Sequence, residues 1–243
     1  MQKAPPPAPF FWYARNMKTS ASTWGGRREG AGRPKSSELV SHLKRPAIER
    51  KRSPALITLK IRSGFPSLRT PEVFEAFQKA AMRARRFGIR ILEFSVRDRR
   101  ILLVVEAKQQ EELEKSFKSM NTTLAISLKK AFAKEMGRKH DGPVFLGRYE
   151  IEVLRMPEEV KLALRKVLAP EERDFSSETI TPSTDRFSSG PLFTKWRALL
   201  GREFEESLIK ASLDPSLLET KARITRITAT PQFWLSQAGW LKG

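Results

Sequence analysis

Residues able to do covalent or metal chemistry are scarce in this chain, and cations are abundant. Among 243 residues there is no Cys, and there are two His (His42, His140) and two Tyr (Tyr13, Tyr149). The lack of Cys excludes a disulfide framework, a thiolate zinc site and a thiol nucleophile, and it fits a reducing compartment. His42 stands in a basic N-terminal stretch and His140 in a turn, so both read as surface residues or phosphate contacts rather than ligands. What the composition favours is the binding of polyanions. The formal net charge is +19, and residues 1–110 hold 24 Lys and Arg against 8 Asp and Glu, whereas residues 111–243 hold 22 against 19. Neutralised phosphates release their counterions, so such a concentration of charge is the footprint of a nucleic acid, although a solvated face or a lipid-attracted patch has the same composition.

The first cationic group lies in residues 1–53, which read as a flexible basic arm. There Arg27, Arg28, Arg33 and Lys35 alternate with Gly25, Gly26, Gly30, Gly32 and Pro34. Gly32 to Lys35 resembles the core of an AT-hook, whose extended arm slides Arg into a narrow minor groove, but Ala31 stands where that motif has its first Arg. A plain basic linker is an equal alternative. The opening stretch lacks the continuous apolar core of a signal peptide, Met17 is a second candidate start, and no apolar run approaches the ~20 residues of a membrane span.

The second group, Arg83, Arg85 and Arg86, requires a helix to position it. Thr70-Pro71-Glu72 is a helix start with Thr as N-cap and Pro at the first position. The apolar stripe of that helix runs through Val73, Phe74, Phe77, Ala80, Ala81 and Ala84, with the cations largely off it, and Gly88 ends it. Before this helix Ala55–Arg62 alternates as a strand should. Ala55–Arg62, Ile89–Val96, Ile101–Ala107 and Val144–Arg155 read as strands, Glu111–Met136 as a long helix and Pro157–Leu168 as a shorter one. The order strand, helix, strand, strand, helix, strand, helix predicts an α+β, ferredoxin-like (split βαβ) domain over 54–168. Its antiparallel four-stranded sheet would carry helices on one face and leave the other face free for a ligand. Residues 169–184 read as a linker. Residues 185–243, with Trp196, Trp234 and Trp240 and an apolar stretch around Leu199–Leu213, read as a helical tail that packs on the domain or on nucleic acid.

Several segments, spread in order over roughly 24–243, resemble the REP-associated tyrosine transposases, a single-tyrosine branch of the HUH nucleases. They include GGRREGAGRPK (25–35) with Val40-Ser41-His42, ITLKIR (57–62), FPSLRT (65–70) and FSVRDRRILLVVEA (94–107). The others are VFLGRYEIEVLRMPEEVKLAL (144–164), DRFSSGPLF (185–193) and PQFWLSQAGW (231–240). The resemblance implies DNA transposition with a metal held by a His-x-His pair, and a Tyr nucleophile on the helix after the fourth strand. In this chain Arg100 and Leu102 occupy the two His positions and Lys166 the Tyr position. An Arg does not ligate a cation at ordinary pH and a Leu has no ligand atom. Tyr149 matches a structural position of the family strand, as an aromatic anchor with its hydroxyl at the sheet edge.

The resemblance with these replacements implies a binder of hairpin or single-stranded DNA that does not cut, needs no cofactor or metal, works in the cytoplasm at the nucleoid and forms, like family members, a possible homodimer. Its expected contacts are Arg27, Arg28, Arg33, Lys35, Arg83, Arg85 and Arg86, with Arg99, Arg100 and Lys166 on the former active face. Two alternatives stand beside it. One is an active transposase with a relocated metal site using Asp98, Glu106 or His140. The other is an RNA-binding module, which the sheet architecture permits although Phe94 is its sole candidate exposed aromatic.

Overall fold

Thr70 and Pro71 start the first helix as their types predict. The Thr70 hydroxyl accepts from the Val73 amide at 3.3 Å, and Pro71 sits in the first turn, where its missing N–H costs no bond. The structure, a computed structural model, describes residues 53–169, 185–201 and 217–241. The expected arm, with Arg27, Arg28, Arg33, Lys35 and His42, and most of the expected Leu199–Leu213 helix lie outside the described residues.

The elements are β1 (Ala55–Lys60), α1 (Pro71–Arg85), β2 (Arg90–Val96), β3 (Arg100–Glu106), α2 (Gln110–Met136), β4 (Glu150–Val153) and α3 (Pro157–Leu168). All strand pairs are antiparallel, in the order β2-β3-β1-β4. The fold is therefore α+β with the expected split βαβ order. All six residues of the α1 stripe are buried. They share one core with Ile57, Leu59, Phe94 and Leu103 of the sheet and with Leu113, Phe117 and Leu124 of α2. Gly88 follows α1 at φ +98°, a left-handed backbone conformation that favours glycine.

The opposite face, expected to be open to a ligand, is covered. Leu56, Leu92, Leu102 and Val104 point to it and form a second core with Val160, Leu164 and Val167 of α3 and Trp196, Leu199 and Trp240 of the tail. Each such side chain gains about 1.5–3 kcal/mol on leaving water, which draws the tail over the sheet. Phe94 belongs to the first face instead. It is fully buried, with its ring 5.3 Å from Phe77 and 6.2 Å from Phe74, and offers no surface for a base.

In the tail the described helices are α4 (Trp196–Leu200), α5 (Leu217–Ile227) and α6 (Trp234–Gln237), with single 3-10 turns at Gly190–Leu192 and Gly239–Leu241. Before them the chain runs along the free edge of β2. Val96 N donates to Phe187 O (2.8 Å) and Ser189 N to Phe94 O (2.9 Å), so an edge that could pair with another chain is occupied. Two buried ionic clamps hold the tail. Arg69 Nη2 lies 2.8 Å from Asp185 Oδ1, and its guanidinium stacks on the Phe187 ring, 4.6 Å from the centroid. At the other end of the sheet the fully buried Glu106 accepts from the Gln232 and Phe233 amides, each at 3.0 Å, and from the Ser236 hydroxyl, with Arg90 Nε at 3.3 Å. No described helix is long and apolar enough to cross a membrane.

Candidate nucleic-acid interface

The turn between β2 and β3 carries three Arg in four residues, and its shape is fixed from outside. Ser67 Oγ donates to Asp98 Oδ1 (2.8 Å), Leu68 N to Asp98 O (3.0 Å), and Arg97 N to Arg100 O (2.8 Å). Arg99 Nη1 donates to Phe65 O at 3.1 Å, which steers that cation along the sheet end. Arg97 is nearly buried and donates to the carbonyl of Lys166. That bond ties the last turn of α3 to the turn and brings Lys166 to the same end of the same face as Arg100. Arg100 opens β3 opposite Lys60, and strand alternation puts its side chain on the side of Leu102. Arg99, Arg100 and Lys166 are all exposed there.

The interior of that face is different. Leu102 is 1% exposed, lies between Ser95 and Thr58 of the neighbouring strands, and belongs to the core shared with α3. A phosphate cannot reach that position without displacing packed hydrocarbon. On this side of the sheet the exposed cations therefore stand at the rim, and the face expected to be free is packed.

Arg83, Arg85 and Arg86 do not join this group. They sit at the end of α1 that is level with Arg90 and Glu106, about 20 Å away by the ~3.3 Å rise per strand residue. At that end Arg85 Nη1 donates to Arg226 O (2.5 Å), and Arg85, Arg90 and Lys108 line a cavity of about 300 Å³. Arg90, Lys108 and Arg226 escaped the sequence reading because the tail is what gathers them.

The remaining candidates are spent on structure. Tyr149 is buried with its ring 4.7 Å from Phe117, consistent with an anchor. His140, expected as a surface residue or phosphate contact, is half-buried between Phe65 (4.4 Å) and Phe132 (5.1 Å). The two rings offer it more contact than solvent does. Asp98 is in the β2–β3 turn, Glu106 at the opposite end of β3 and His140 beyond α2, so the relocated metal site is not assembled from them. Among the described residues no three His, Asp or Glu side chains cluster as a metal site would need.

Glu93 is a residue that sequence reasoning missed. A bulge between Ile91 and Glu93 places both Leu92 and Glu93 on the α3 side. Glu93 lines a cavity of about 170 Å³ with Leu164, Phe193, Lys195, Ser236 and Trp240. Burial pushes its carboxyl up to about 8, against a hydrogen bond with Ser189 that favours the charged form. The signal in the sequence was an acid inside the apolar run Ile91–Val96.

No family model matches the chain. None of the curated proteins matches it either. Among solved structures it is similar to a REP-associated tyrosine transposase bound to a REP hairpin, at 15% identity and a TM-score of 0.45, over 62% of this chain and 82% of that one. It is also similar to a bacterial tRNA(His) guanylyltransferase-like protein. In complex with GTP that protein gives 9% identity and a TM-score of 0.34, over 49% of this chain and 64% of that one. In complex with ATP it gives 11% and 0.37, over 72% and 76%.

Proposed function

We propose that the protein binds DNA, as a hairpin or a single strand, without cleaving it. The observation that carries this reading is the rim formed by Arg99, Arg100 and Lys166 beside a closed, apolar Leu102. Cations at the sheet end hold phosphates in register, and the position where the resemblance puts a metal ligand has hydrocarbon instead. The strongly basic N-terminal half adds sequence-independent attraction. Arg83, Arg85 and Arg86 at the far end of the sheet, beside Arg90 and Lys108, supply a second set of backbone contacts. The resemblance to hairpin-binding transposases supports the choice of a folded or single-stranded substrate.

Mobility shifts test this with hairpin, single-stranded and duplex DNA and an RNA hairpin, between about 50 and 300 mM salt. The affinity for hairpin or single-stranded DNA is expected to exceed that for duplex and RNA. Its log–log salt slope should fall by about one for each of Arg99→Ala, Arg100→Ala and Lys166→Ala. Unchanged slopes in all three variants refute the rim, and tighter binding of RNA than of DNA favours the RNA-binding alternative.

A further inference from the structure

Arg85, Arg90 and Lys108 line a recess at the far end of the sheet, and we propose that it holds the terminal phosphate monoester of a DNA strand. The proposal rests on the DNA-binding reading for its source of strand ends, and it gives the second set of contacts a definite ligand.

The recess measures about 300 Å³, the lower end of the ~300–1,000 Å³ of small-molecule sites, and suits a phosphate with the sugar that carries it. Its walls come from Arg85 and Gly88 at the end of α1, Arg90 at the start of β2, Lys108 and Glu112 at the start of α2, and Gln232 of the tail. Both guanidinium groups are held by tail carbonyls: Arg85 Nη1 donates to Arg226 O and Arg90 Nη2 to Thr230 O. Arg85 keeps Nε and Nη2 as further donors, since only its Nη1 is engaged among the described residues. The charge of Arg90 is matched by the buried Glu106, with Nε at 3.3 Å from Oε2, so Arg90 adds donors rather than net charge. Lys108 is exposed, and its ammonium group has no partner among the described residues. Its backbone N–H donates to Glu112 Oε2 at 3.0 Å, which turns that carboxylate toward the start of α2. Arg85 and Lys108 therefore outnumber Glu112 in the recess, and Arg86 and Arg226 stand exposed beside Arg85.

A monoester suits this site better than a phosphate within a strand. It carries a charge of about −1.5 to −2 at pH 7 and three acceptor oxygens, against a single charge on a linking phosphate. A linking phosphate also has a sugar on either side, and a recess walled by α1, α2 and the tail has room for one. Guanidinium forks and a mobile ammonium group are complementary ways of holding such oxygens. No aromatic ring lines the recess, so no base stacks there and the site is indifferent to sequence. By strand rise the recess lies about 20 Å from the Arg100 rim, so a strand seated by its end needs at least about six nucleotides, at ~3.4 Å each, to reach it.

The test titrates the full chain with an oligothymidylate of about twelve nucleotides that carries a 5′-phosphate, a 3′-phosphate or neither. Either phosphorylated form is expected to bind about five-fold or more tighter than the unphosphorylated one. That advantage should grow as pH rises through about 6, where the monoester takes its second charge. Lys108→Ala, a change at an exposed side chain, should bring the ratio of affinities close to one. Arg100→Ala, at the other end of the sheet, should weaken all three strands and preserve the ratio. Equal affinities in the unmodified protein overturn the proposal, as does an advantage that survives Lys108→Ala. Thymidine 5′-monophosphate separates the two sources of a monoester: it should bind more weakly than the phosphorylated strand, and equal or tighter binding makes a free nucleotide the ligand and overturns the strand end. The two readings fail separately. DNA binding with equal affinities refutes only the end site. Saturable, Lys108-dependent binding of thymidine 5′-monophosphate by a chain that binds no DNA refutes the DNA reading and leaves the phosphate site standing.

Discussion

On the α1–α2 side of the sheet, Ile57, Leu59, Phe94 and Leu103 meet Phe74, Phe77, Phe117 and Leu124 in a core closed by apolar side chains. On the α3 side, Leu56, Leu102 and Val104 share the surface with Glu93, Ser95 and Glu106, and the cover is a helix plus a tail clamped by ion pairs. The first face can be closed by burial alone, and it fixes the shape of the domain. The second carries carboxyls, a cavity and a cationic rim beside its apolar side chains. Its cover must be anchored by charge where hydrocarbon gives too little.

Breaking the anchor tests this contrast most strongly. Glu106→Ala leaves Arg90 without its carboxylate and the Gln232 and Phe233 amides without an acceptor, and should cost about 3–5 kcal/mol. Phe77→Ala on the other face should cost a similar 3–5 kcal/mol through its cavity. The two should differ in kind by hydrogen exchange. Glu106→Ala is expected to release residues 231–241 while α1, α2 and α5, whose Ile224 and Ile227 share the first core, stay protected, whereas Phe77→Ala lowers protection throughout. Equal loss everywhere in both variants would dissolve the distinction between the faces.

Asp185→Ala, at the opposite clamp, should cost about 3 kcal/mol by leaving the Arg69 guanidinium nearly buried and unpaired, as urea denaturation would measure. Smaller, and specific to the α3 side, is a dependence on pH. The Glu93 carboxyl keeps its proton up to about pH 8 in the folded chain and releases it near pH 4.5 when unfolded. The unfolded state therefore binds fewer protons between those values, and stability falls as pH rises through that window. Glu93→Gln should raise Tm by about 5 °C at pH 9, roughly 2 kcal/mol, and by little at pH 4. A Tm gain that is the same at both pH values contradicts the assignment. Least costly to the fold are Arg100→Ala and Lys166→Ala, exposed at the rim, which should change stability by no more than about 0.5 kcal/mol while weakening DNA binding.

Most of the fold was legible because the signals were local. Thr70-Pro71 marks a helix start, six apolar residues from Val73 to Ala84 mark its face, and Gly88 marks its stop, all readable within one element. The covering of the second face was not legible, because it depends on pairings across more than a hundred residues. Glu106 with Gln232 and Phe233, and Arg69 with Asp185, have no local signature. For the same reason the sequence did not show how the two cationic groups stand to one another: the strand directions send Arg83, Arg85 and Arg86 to one end of the sheet and Arg99, Arg100 and Lys166 to the other. Glu93 is an acid among apolar neighbours in the sequence, but its burial depends on a bulge and on Phe193 and Trp240, which arrive from the tail.

The central claim, binding without strand cleavage, is tested most directly on labelled hairpin and single-stranded DNA incubated with the unmodified protein and magnesium or manganese. The same samples are run on native and on denaturing gels. The account predicts a salt-sensitive shift on the native gel, and on the denaturing gel intact DNA with no covalent adduct. A metal-dependent adduct that survives denaturation, and that disappears in Tyr149→Phe, would contradict it and make this chain an enzyme with a relocated nucleophile.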